Sequence, residues 1–174
     1  MKKKSILLTT LALCVMLLVG ACGTATDAVN TVSNTVAQIL NGNVKGEIGK
    51  TYSTQWFEFT VKSIEKMDSY AGYEPENGFE LYAVLLSEKS TFSKEIPMGT
   101  FDFYMDEDSF EEYIFPMDPL DNTMMPLEFK LNKGDAVEYY MIYEIPAGTE
   151  GLMLCYTEIN ENEDEGVLFT IAIN

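Results

Sequence analysis

The sequence predicts an all-β fold, an antiparallel sandwich or barrel, and three observations lead there. From Gly46 to the C-terminus, apolar residues alternate with polar ones or gather in short runs, the patterns of half-buried and fully buried strands. Gly, Pro and Asn punctuate these segments at regular spacing, as in Lys133-Gly134-Asp135 and Pro146-Ala147-Gly148. Helical periodicity is absent from the same region.

The chain opens on a different texture. Lys2, Lys3 and Lys4 precede an apolar stretch from Ile6 to Val19 and the small residues Gly20 and Ala21, the parts of an export signal. Cys22 follows at once, and Val19-Gly20-Ala21-Cys22 resembles the lipoprotein type of signal, cut before the cysteine after its thiol takes a diacylglyceryl group. The expected product carries a lipid on Cys22 and stays at the outer side of the cell membrane, since paired acyl chains anchor stably where a single chain binds marginally. The apolar run is short for a bilayer crossing, and Thr, Asp and Asn follow it instead of a basic stop-transfer patch. Residues 1–21 are read as signal peptide, 22–45 as tether and 46–174 as the β domain. In the tether, Val29, Val32, Val36, Ile39 and Leu40 fall at helical spacing between a capping Asp27 and a terminating Gly42. Repeated Asn and β-branched Val and Thr weaken that helix, so an amphipathic helix and a partly helical tether both stand as readings.

The strands follow in order. Phe57, Phe59 and Val61 alternate with Glu58, Thr60 and Lys62, so this strand buries one face. Phe79 to Leu86 is apolar on both faces apart from Glu80, as in a central strand covered on both sides. Phe101, Phe103 and Met105 alternate again, and Tyr113 to Phe115 is a short strand stopped by Pro116. Leu127 to Leu131, Ala136 to Ile145, Leu152 to Thr157 and Val167 to Ile173 complete the set. Tyr139, Tyr140 and Tyr143 fall on alternating sides of one strand, which places at least one of them in the core.

Certain residues also carry a family likeness. Gly46-Glu47-Ile48-Gly49, the Trp56 to Val61 strand, Gly78-Phe79-Glu80-Leu81-Tyr82-Ala83-Val84, Leu131-Asn132-Lys133-Gly134-Asp135 before Glu144-Ile145-Pro146, then Leu152, Leu154 and Tyr156, together resemble the telokin-like domain of unknown function found on bacterial lipoproteins. The resemblance runs from Gly46 to the C-terminus and implies an immunoglobulin-like β-sandwich, with no catalytic signature. Leu86 to Ser90 stands where that family shows an Asn-containing turn.

Composition removes several chemistries. With no His anywhere, Ser-His-Asp and Cys-His nucleophiles and the common zinc sites are excluded. The basic residues are all Lys, so an Arg clamp on phosphate or carboxylate is excluded too. A formal charge of -17 disfavours nucleic acid and anionic lipid surfaces as partners. Cys14 goes with the signal and Cys22 takes the lipid, so Cys155 has no intramolecular disulfide partner. Lying between Leu154 and Tyr156, it is expected to be a buried, inert thiol.

Three candidate sites remain. Asp106, Asp108, Glu111 and Glu112 are a candidate calcium set in an acidic cluster that lacks the glycine of an EF-hand loop; its other reading is a solvated loop. Tyr70, Tyr73 and Glu74 sit between two strands, where a loop at the end of a sandwich offers aromatic contact area to a ligand; the alternative has the rings folded back on the sandwich. Paired carboxylates are the third, the machinery of a glycoside hydrolase, although acids are too abundant for pairing alone to point to one. The acidic run Glu161, Glu163, Asp164 and Glu165 is read as a hairpin turn that discourages edge pairing, and Lys133-Gly134-Asp135 as a turn. The leading functional expectation is a non-enzymatic envelope module that binds a protein or carbohydrate partner; a calcium-dependent envelope protein and a carboxylate hydrolase follow.

Overall fold

The computed structural model describes residues 42–107, 112–159 and 165–173. The signal, Cys22 and the helical reading of the tether therefore lie outside the described residues. The described residues form ten strands in this order: β1 (Asn43–Gly46), β2 (Thr51–Ser53), β3 (Phe57–Met67), β4 (Phe79–Ser90), β5 (Ile96–Gly99), β6 (Phe103–Asp106), β7 (Glu128–Leu131), β8 (Ala136–Pro146), β9 (Met153–Ile159) and β10 (Glu165–Ala172). A single turn of 3-10 helix, Thr100–Asp102, separates β5 from β6.

One sheet runs β1-β10-β9-β6, a second runs β2-β3-β4-β8, and β5 pairs with β7 as a separate ribbon. All pairings are antiparallel except β1 on β10, which are parallel from Asn43↔Leu168 to Gly46↔Ile171. The fold is thus the all-β sandwich that the strand pattern predicts. β1 starts three residues inside the expected tether, and its Val44 is buried in the main core.

The two four-stranded sheets meet over an aromatic core. Phe59 of β3 packs edge-on against Phe103 of β6 at 5.5 Å and Phe169 of β10 at 5.4 Å between ring centroids, so side chains from opposite sheets interdigitate. Tyr143 is the largest fully buried side chain, and its hydroxyl donates to the carbonyl of Phe103 at 3.3 Å. Tyr139 packs partly against this core and Tyr140 against a second cluster, which resolves the alternation of the three tyrosines.

A bulge decides what β3 shows to each layer. Val61 opposes Leu86 but Ser63 opposes Leu85, so Lys62 is the extra residue and the inward parity changes there. Phe57, Phe59 and Val61 face the main core before the bulge, and Ile64 takes that side after it, leaving Met67 to the outer cluster. β4 is covered on both faces, as its composition requires. Val84 and Leu86 enter the main core while Leu81 and Ala83 join Met124 and Ile142 in the second cluster beneath the Met117–Met124 segment.

The sequence and the structure part at other places too. Phe101 does not join the alternation of Phe103 and Met105. Asp102 Oδ2 accepts the Gly99 N–H at 2.7 Å, closing a turn that leaves Phe101 56% exposed, edge-on to Phe115 at 5.6 Å. Tyr113 to Phe115 makes only an isolated bridge, Ile114 to Met105, with hydrogen bonds of 2.8 and 2.9 Å. At Leu86 to Ser90, β4 continues straight through to Ser90, paired on both sides, with no turn.

Candidate functional site

A cleft of about 330 Å³ opens at one end of the sandwich. Trp56, at the entry to β3, and Phe92, just after β4, form its aromatic wall with rings edge-to-face at 4.6 Å. The wall is fixed at both ends. The indole N–H of Trp56 donates to the Ile159 carbonyl at 2.8 Å, and the Trp56 carbonyl accepts from the N–H groups of Thr91 and Phe92 at 3.1 and 3.0 Å. Thr54 Oγ1 accepts the Trp56 and Phe57 N–H groups at 3.0 Å each, a local turn that ends the loop before β3. Ile96, Met98, Tyr156 and Ile159 supply apolar surface, and Asp102, Glu95 and Thr157 the polar groups. The volume falls at the low end of small-molecule sites, which run from about 300 Å³ upward and combine apolar walls with a few polar groups.

Two carboxyl groups at the cleft are shifted by burial, Glu88 in the interior and Asp102 in the lining. Glu88, facing inward from β4, is 1% exposed, and neither carboxyl oxygen has a hydrogen-bond partner among the described residues; Ser90 Oγ is in the same state. Burial first, and the charge of Asp102 second, push the Glu88 carboxyl up to about 8, so it is neutral at pH 7. Asp102, which lines the cleft, is also raised by burial, offset in part by the Gly99 N–H. Tyr156, in the cleft floor, is raised by burial and by the nearby acids Asp102, Glu158 and Glu88. A second, wider hollow of about 610 Å³ lies along β5, shares Pro97, Met98 and Asp102 with the cleft, and is lined further by Phe101, Glu128, Phe129 and Lys130.

The residues singled out in the sequence lie elsewhere. Tyr70 and Tyr73 pair with each other through reciprocal backbone hydrogen bonds of 2.9 and 2.8 Å across Ala71 and Gly72, both at positive φ, a two-residue hairpin turn. Both rings pack against the cluster of Leu81, Ala83, Met124 and Ile142. The Tyr73 hydroxyl donates to Glu144 Oε2 at 2.9 Å, and Tyr70 Oη pairs with Thr123 Oγ1 at 2.7 Å. These rings therefore cover the outer face of the β4–β8 sheet, while Glu74 is exposed. In the acidic cluster, Asp106 ends β6 and Glu112 is exposed; Asp108 and Glu111 lie outside the described residues, so the calcium set is not brought together for comparison. Among the described residues no three acids or thiols converge in a metal-binding group. The run Glu161 to Asp164 lies outside the described residues, and Glu165 begins β10. Cys155 is buried, and burial first with Asp106 second push its thiol up to about 12, the inert state expected.

Fold and cleft together define a β-sandwich domain with a small, acid-lined concavity at one end. No family model and no curated protein matches the chain. Solved structures do. The fold is similar to that of a candidate lipoprotein, YcdA, of Bacillus subtilis (16% identity, TM-score 0.56, covering 71% of this chain and 38% of that one). It is similar too to a secreted protein of Mycobacterium tuberculosis, MPT63 (7% identity, TM-score 0.54, 73% and 96% covered). An uncharacterized β-sandwich protein of Clostridium difficile 630 is a third (14% identity, TM-score 0.52, 76% and 95% covered). The chain spans 38% of the length of the Bacillus lipoprotein. At these identities the likeness shows the fold, and function rests on the site.

Proposed function

We propose that this chain is an exported lipoprotein, held by a lipid on Cys22 at the outer face of the cell membrane, and that its sandwich is a non-enzymatic ligand-binding module. We place it with the telokin-like domains of bacterial lipoproteins, on the residues quoted from Gly46 to Tyr156. The observation that carries the binding role is the cleft. Its aromatic wall is hydrogen-bonded in place before any ligand arrives, so little ordering entropy remains to be lost on binding. The export signal supports the address, as does the company of a candidate lipoprotein and a secreted protein among similar folds.

Hydrolysis is the weaker reading. It requires one protonated and one ionised carboxyl facing each other across a substrate. Glu88 and Asp102 are both shifted toward the neutral form, and Glu88 stands behind the cleft instead of lining it.

Trp56 is the single tryptophan of the chain, so its emission reports on the cleft. Titrating the full-length protein with fractionated small molecules of envelope extracts should change that emission saturably. A flat response across all fractions, in protein whose circular dichroism is that of folded strands, refutes the binding role.

A further inference from the structure

The cleft has a chemical bias that narrows its ligand class. Its charged lining residues are Glu95 and Asp102, and no basic residue is among the described residues that line it. Glu95 is matched by Lys130 Nζ at 2.6 Å, on the side of the wider hollow. Asp102 has no lysine partner among the described residues; its one hydrogen bond is to the Gly99 N–H at 2.7 Å through Oδ2. Glu88, near enough to feel the Asp102 charge and more than nine-tenths buried, has no hydrogen-bond partner among the described residues. A buried carboxyl without a donor or cation is costly to maintain, on the order of 1–3 kcal/mol for an unsatisfied polar group and more for a charge. With Asp102 in its lining unmatched by any lysine among the described residues, the concavity favours a positively charged occupant. The same cleft has an aromatic wall, and the faces of Trp, Phe and Tyr rings attract cations through the ring quadrupole.

We infer that the cleft takes an organic cation, an alkylated or quaternary ammonium compound, whose apolar body rests against Trp56, Phe92 and Ile159 and whose charge is received by Asp102 with Glu88 behind it. This rests on the ligand-binding role proposed above. A bare divalent ion fits the site less well, because it wants six or more oxygens, whereas Ile96, Met98 and the aromatic rings provide most of the lining. An anion is opposed by every charge that lines the cleft.

The test is a pair of probes of matched shape, choline and its uncharged carbon analogue 3,3-dimethylbutan-1-ol, titrated into the full-length protein at constant ionic strength with Trp56 emission and calorimetry as readouts. Choline should saturate and bind about ten-fold more tightly than the alcohol, the cation–aromatic and carboxylate contribution converted to affinity. Asp102→Asn keeps an oxygen for the Gly99 N–H and so preserves the turn; it should remove most of the preference for choline. Phe92→Leu keeps the reporter and the apolar volume and should weaken choline more than the alcohol. Equal binding of the two probes overturns the cation inference while leaving the cleft a ligand site. Binding of neither, in folded protein, overturns both. A preference for choline unchanged in Asp102→Asn also overturns the inference, since the charge is then received elsewhere.

Discussion

Replacing Glu88 by Gln should flatten the dependence of stability on pH above pH 5. The glutamate carboxyl stands near 4.5 in an unfolded chain and about 8 in the sandwich, so between those values the folded state holds a proton that the unfolded state has released. Stability therefore falls as pH rises through this window. The loss is absent below 4.5 and complete above 8, where it reaches roughly 5 kcal/mol at about 1.4 kcal/mol per pH unit. Asp102 is raised in the same sense by burial, and it remains in the variant, so a small slope should persist. Glu80, lowered first by the hydrogen bond from Lys66, Asp121, lowered by Thr123, and Asp135, lowered by Asn132, act in the opposite sense. Their contribution is present above the ordinary carboxylate range and lost only as pH falls below it, outside the window. Urea unfolding with linear extrapolation at pH 5.5 and 8.5 measures the effect. The unaltered protein should be about 3 kcal/mol less stable at the higher pH, a large part of the 5–15 kcal/mol that holds a domain together, and Glu88→Gln should differ by about 1 kcal/mol or less. An equal slope in both proteins refutes the assignment of a neutral acid to this position.

Other expectations are checked more simply. Cys22→Ala should abolish incorporation of a labelled fatty acid and release the protein from the membrane fraction; continued labelling would place the acyl group elsewhere. Ala71→Gly should stabilise by about 0.5–1 kcal/mol in thermal unfolding, because Ala71 holds φ of 49° in the Tyr70–Tyr73 turn, where a Cβ is strained. Gly99→Ala should cost about 1–3 kcal/mol, since the added Cβ would lie 2.4 Å from the Leu127 carbonyl oxygen, a contact with backbone that cannot swing aside. At pH 8 the Cys155 thiol should resist iodoacetamide in the folded protein and react promptly in urea; fast native labelling, read by mass, would contradict its burial.

How much of this was legible depended on local pattern. The run Phe79 to Leu86 announced a strand covered on both faces, and β4 has both faces packed. β2 and β5 escaped because three or four residues carry too little periodicity, and Pro97 inside β5 suggests a break. The bulge at Lys62 did leave a trace, the longer step from Val61 to Ile64 in the alternation of apolar residues. The cleft was harder. Its walls come from Trp56, Phe92, Asp102 and Ile159, separated along the chain and joined only by the fold. Among 28 acids no composition argument selects one for burial. Still, Glu88 continues the every-second-residue series of Val84 and Leu86, and extending β4 past Leu86 would have aimed it inward. Asp102 gave no such signal. Strict alternation with Phe101 and Phe103 would send it outward, and the 3-10 turn reverses that by exposing Phe101 instead. For Tyr70 and Tyr73 the turn between strands left two readings open, a recognition loop or rings folded back on the sandwich, and the second apolar cluster takes both rings.

The parallel seam between β1 and β10 also has a mechanical meaning. The first strand enters beside Leu168 and leaves beside Ile171, so the two chain ends of the sandwich exit at opposite ends of the same seam. Tension applied between those ends runs along the strands and stretches all the cross-links of the seam together, whereas an antiparallel hairpin would open one rung at a time. A pull between the two ends is thereby met by every bond of the seam at once, and the sandwich resists it as a sheared patch instead of an opening zip.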